Sequence, residues 1–96
     1  MTIRVVAHVI AKPDQIDALK SLTLSILEPT RQEAGCIQYE VHQNLQDPTD
    51  LTFIEEWQSE AALEAHLQTP HLQAAMAQLD GIVAAMPDIR RYRLLG

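Results

Sequence analysis

The stretch from Ile3 to Lys12 constrains this chain more than any other. It is short, rich in Val and Ile, and apolar on both of its alternating sides. As a strand it turns Ile3, Val5, Ala7, Val9 and Ala11 one way and Arg4, Val6, His8 and Ile10 the other. A strand apolar on both sides must be covered on both sides. In 96 residues there is room for one core, so residues 1–96 are expected to form a single domain.

The segments that follow supply the cover. Pro13-Asp14 is a good helix opening, and Ile16, Leu19, Leu22 or Thr23, Ile26 and Leu27 recur at helical spacing. A helix is expected from about Pro13 to Ala34, bent near Pro29 and stopped by Gly35. Cys36 to Leu45 and Leu51 to Gln58 read as strands, joined through the turn Gln46-Asp47-Pro48-Thr49-Asp50. Ser59 caps a second helix, Pro70 interrupts or bends it, and the apolar stripe of Leu72, Ala75, Met76, Leu79 and Val83 carries it to about Met86. Pro87 ends it, and Ile89 to Leu95 forms a last strand. The order βαββαβ is the split βαβ arrangement of ferredoxin-like α+β domains: an antiparallel sheet with two helices on one face. The remaining sheet face also carries apolar residues. A second copy packed sheet on sheet would cover it, so a homodimer is expected.

Charge and cysteine count narrow the function. Seven Lys and Arg stand against 13 Asp and Glu, a net charge of −6. That balance disfavours nucleic acid and anionic membranes as partners. Val5 to Ala11 is far shorter than the ~20 apolar residues needed to cross a bilayer. It also makes a poor signal peptide, so the chain is read as cytoplasmic and mature from Met1. One cysteine excludes a disulfide framework and a cysteine-rich zinc site.

Three pieces of sequence carry a family resemblance. Glu33-Ala34-Gly35-Cys36-Ile37-Gln38-Tyr39-Glu40-Val41-His42 is one, and Asp47-Pro48 with Phe53-Ile54-Glu55-Glu56-Trp57 is the second. Ala62-Leu63-Glu64-Ala65-His66-Leu67 with Thr69-Pro70-His71-Leu72 is the third. In this order and spacing they resemble the antibiotic biosynthesis monooxygenase family, and most nearly its small quinol monooxygenase branch. The resemblance implies a dimeric α/β barrel with a small pocket between sheet and helices. It also implies oxygenation of a phenolic, quinol or polyketide-like substrate by dioxygen with no metal, flavin or haem. Other branches degrade haem or isomerise a phosphorylated signalling sugar, so family alone does not fix the reaction.

Such chemistry asks for a base, hydrogen-bond donors and a dry pocket. His66 is the first candidate base, because it shares the apolar stripe of Ala62 and Leu63; the alternative is a core histidine fixed by a carboxylate or carbonyl. Glu55, on a mostly apolar strand, needs a partner. It either orients a histidine, acts as a base with a raised pKa, or pairs with an arginine of the last strand or of another subunit. Trp57, Tyr39, His8 and His71 are candidate substrate contacts, each with a plain packing or surface alternative. His8 reaches the pocket only if its strand face meets the helices. His42 reads as a surface residue.

No metal is expected: His66 and His71 are five apart with a proline between, which misses the i,i+4 pair of zinc helices. Met76 stands where the haem-degrading branch would have a histidine, which argues against haem. Cys36 has no activating cation and reads as an inert thiol. Arg90, Arg91 and Arg93 would hold an anionic substrate if they faced the pocket, and otherwise pair with Glu55, Glu56 or a partner chain.

Overall fold

A computed structural model describes all 96 residues. In chain order the elements are β1 (Ile3–Ile10), α1 (Ile16–Ser25), α2 (Leu27–Arg31), β2 (Cys36–Gln43), β3 (Asp50–Trp57), α3 (Glu60–Leu67), α4 (Pro70–Ala77) and β4 (Asp88–Tyr92). The strands form one antiparallel sheet in the order β2-β3-β1-β4. This is the ferredoxin-like α+β architecture.

Register decides which side chains meet the helices. Val5 pairs with Glu55, Ala7 with Phe53 and Val9 with Leu51, while Tyr39 of β2 pairs with Glu55 from the other side. All of these are buried, with Trp57 and Leu19 fully so. Glu55 is thus a carboxylate set among apolar neighbours. The opposite sheet face carries Arg4, Val6, His8, Ile10, Thr52, Ile54 and Glu56, all half-buried.

The first long helix differs from the expectation. It starts at Ile16, after a turn in which the Gln15 amide donates to the Lys12 carbonyl. It also breaks at Ile26, before Pro29 rather than at it. Two hydroxyls explain the break: Thr23 Oγ1 donates to the Lys20 carbonyl and Ser25 Oγ to that of Leu22, competing with the backbone ladder. Pro29 then sits in the first turn of α2, where its missing N–H costs nothing.

The second helical region is also two helices. Ser59 caps α3, its Oγ accepting from the Ala62 amide at 3.1 Å. Thr69 then caps α4, with Pro70 as its first residue, so the proline interrupts the helical run by opening a new helix rather than bending one. α4 stops at Ala77, nine residues short of Met86. Gly81 adopts a left-handed φ of +83°, and the chain turns back so that Val83 bridges Ala11 beside β1. The last strand is shorter than expected, and ends at Tyr92.

Candidate active site

A cavity of about 90 Å³ lies between the sheet and the helices. One water needs only ~10–15 Å³, so the space suits a small organic molecule. Fifteen of its 19 lining residues are hydrophobic, among them Val5, Val9, Leu19, Phe53 and Leu72. Polar side-chain atoms in the wall come only from Thr23, Glu55, His66 and the phenol of Tyr39, itself one of the fifteen.

His66 enters the cavity from the last turn of α3 and is 2% exposed. Its Nδ1 lies 2.8 Å from Glu33 Oε2. An ionised carboxylate only accepts, so the ring proton is assigned to Nδ1 and Nε2 keeps its lone pair. Burial lowers the His66 pKa below its ordinary 6.5, against the opposing pull of Glu33. The imidazole is therefore neutral at pH 7 and able to take a proton. Trp57 packs against it at 4.6 Å between ring centres and 34° between planes.

Glu33 comes from the loop between α2 and β2. That loop is pressed onto α3 through Gly35, whose φ is +87° and whose absent Cβ would lie 2.6 Å from Ala62 Cβ. Only glycine permits both the conformation and the approach. The close approach sets Glu33 beside His66 across 33 positions of sequence. His71, in the first turn of α4, reaches the same carboxylate oxygen through Nε2 at 2.7 Å.

Glu55 lines the cavity, and within the chain it neither orients a histidine nor pairs with an arginine. Its Oε1 accepts from Trp57 Nε1 at 2.9 Å. Burial raises its pKa to about 7, opposed by the Trp57 hydrogen bond and assisted by the charge of Glu33. It can therefore give or take a proton near neutrality. Tyr39 lines the wall next to Phe53, their ring centres 5.3 Å apart; burial and then the Glu55 charge push its phenol upward, so it stays protonated.

The structure thus brings His66, Glu55 and Tyr39 to the cavity. Trp57 stands behind them as the partner of two, and His71 stands behind His66 on Glu33. His8 is elsewhere. β1 turns its odd-numbered residues to the helices, so His8 lies on the open sheet face with Nδ1 2.7 Å from Thr52 Oγ1.

Arg90, Arg91 and Arg93 are exposed; Arg90 pairs with Asp88 at 3.1 Å and Arg91 with Glu64 at 2.8 Å. Their expected partner Glu56 pairs instead with Arg4, at 3.4 Å. The Cys36 thiol is half-buried and pushed up by burial and by Glu33, as an inert thiol would be. Met76 lines the cavity and is partly exposed. Glu33 is the site residue that side-chain patterning did not single out, although it opens the first stretch of family resemblance.

Comparison with known proteins identifies the family and the fold. The family model described as antibiotic biosynthesis monooxygenase matches residues 2–78. The uncharacterised Synechocystis protein sll1783 is 29% identical over 90 residues; the match takes in 94% of this chain but only 61% of that protein's length. Rv0793 of Mycobacterium tuberculosis, provisionally named a monooxygenase, is 32% identical over 77 residues, 80% of this chain and 75% of its own. Its solved structure superposes with a TM-score of 0.94, covering 100% of this chain and 97% of that one at 26% identity. YgiN of Escherichia coli, provisionally named a quinol monooxygenase, is 49% identical over 39 residues, 41% of this chain and 38% of its own. Glu33, Tyr39, Glu55, His66 and His71 all fall within the matched span, and the chain belongs to the antibiotic biosynthesis monooxygenase family.

Proposed function

We propose that this protein is a monooxygenase that uses dioxygen to oxidise a small electron-rich phenol, quinol or related polyketide, without a cofactor of its own, and that it works as a homodimer. One observation carries the reading: a buried imidazole backed by a carboxylate in the wall of an apolar cavity.

In this mechanism His66 Nε2 removes the substrate's acidic proton, and Glu33 steadies the imidazolium that results. The substrate anion gives one electron to dioxygen. Superoxide and the substrate radical then join at carbon as a peroxide. The His66 imidazolium returns its proton to the peroxide. For a CH₂ centre, neutral His66 then takes the remaining C–H proton as the O–O bond breaks, which leaves one oxygen as a carbonyl and releases the other as hydroxide. Glu55 protonates the hydroxide to water, the proton taken by His66 makes good the one Glu55 gave, and the apolar walls keep bulk water from the intermediates. The provisional quinol monooxygenase name of YgiN supports the substrate class. An isomerase of a phosphorylated metabolite fits less well, because no arginine or lysine lines the cavity.

The test is dioxygen uptake by the full chain with hydroquinones, naphthoquinols and anthrones, against a protein-free control. His66→Ala should lower turnover by ~10²–10⁴-fold with an unchanged circular dichroism spectrum. Undiminished uptake by a folded His66→Ala variant would remove the base from the mechanism.

A further inference from the structure

We propose that Glu33, His66 and His71 form a binding site for one divalent first-row transition ion, and that an ion bound there silences His66 as a base. The silencing rests on the oxygenase reading; the site does not.

Three donor atoms converge from three separate segments. Glu33 Oε2, His66 Nδ1 and His71 Nε2 all lie within 4.8 Å of one another. The spacing argument against a helical metal pair holds for a single helix, but this chain uses two. The break at Gln68-Thr69 ends α3 and restarts the chain as α4, which swings His71 back over Glu33. Two imidazoles and one carboxylate favour ions such as Zn²⁺, Co²⁺ or Ni²⁺ over Mg²⁺ and Ca²⁺.

The charge balance points the same way. The Glu33 side chain is only 13% exposed, yet no lysine or arginine pairs with it. The nearby Arg31 is engaged by the Tyr39 carbonyl and by Glu28. A mostly buried carboxylate is met only by two ring nitrogens, and a divalent ion supplies the missing positive charge. His71 is 24% exposed and gives a path from solvent. An ion needs ~2.0–2.2 Å to each donor, so His71 must turn inward, a movement open to a half-exposed side chain in a first helical turn. With an ion on Nδ1, the remaining proton of the neutral ring moves to Nε2, the nitrogen left for the cavity, and the base is gone.

The experiment is calorimetric titration of the metal-stripped full chain with Zn²⁺. One ion per chain is expected. Glu33→Gln and His71→Asn should each weaken binding by at least about 10–100-fold, the loss typical of even an indirect partner. His8→Asn, on the other sheet face, should bind as the parent does. Circular dichroism checks that each variant is folded. No saturable binding, or equal affinity in folded Glu33→Gln and His71→Asn, would overturn the site. Dioxygen uptake then reads the silencing: Zn²⁺-loaded protein should be inactive and recover with a chelator. Full turnover by the loaded protein would overturn the silencing. If no substrate is turned over at all, the oxygenase reading fails, and the titration still decides the site.

Discussion

Glu55 holds its proton where an ordinary glutamate has lost it. Its pKa is about 7 in the folded chain against an ordinary 4.5. Between those values the unfolded chain releases the proton and the folded chain keeps it. Stability therefore falls as pH rises through that window and levels off above about 7. Glu55→Gln retains an acceptor for Trp57 and removes the titration. It should abolish this slope and exceed the parent in stability near pH 8 by on the order of 1–3 kcal/mol, read by urea unfolding across pH. At this scale the sequence was partly legible. His66 was visible because it shares a helical stripe with Leu63, and Glu55 because a charge interrupts an apolar strand. Glu33 was not visible by patterning, since a loop has no period to mark its inward residues. His8 was ambiguous for a different reason: β1 is apolar on both sides, and alternation alone cannot say which side meets the helices.

At the scale of elements, the site depends on how closely the loop before β2 approaches α3. Gly35→Ala places a Cβ against Ala62 and forces a left-handed residue to carry a side chain. It should lower stability by roughly 1–3 kcal/mol or more in a thermal melt, and it should cut turnover as well by separating Glu33 from His66. A thermal midpoint equal to the parent's would show that the contact gives way freely. The strands and the element order were legible from alternation and turn residues. The helix ends were less so, because their causes are tertiary or competitive. The hydroxyls of Thr23 and Ser25 undo a ladder that spacing alone would continue, and the Val83–Ala11 bridge draws the chain away from α4.

For the whole molecule, one sheet face is covered by helices and the other carries Val6, Ile10 and Ile54 at half burial among polar neighbours. The homodimer proposed above uses this face. Ile54→Lys, at the centre of β3, should give a monomer by sedimentation velocity while the parent sediments as a dimer. A parent that sediments as a monomer would count against the assembly. The cavity on the other face has a separate consequence for ligand choice. With so few polar groups in its wall, it has little means to read a substituent pattern and must sort occupants by oiliness and bulk. Across a homologous alkyl series, affinity should rise by up to about fourfold per methylene, as ~0.8 kcal/mol of burial allows. It should then drop sharply at the first member that no longer fits. Such a site is tolerant within a size class and abrupt at its edge, so its spectrum of accepted compounds would be broad, and a single wall residue exchanged for a larger one would shift that edge.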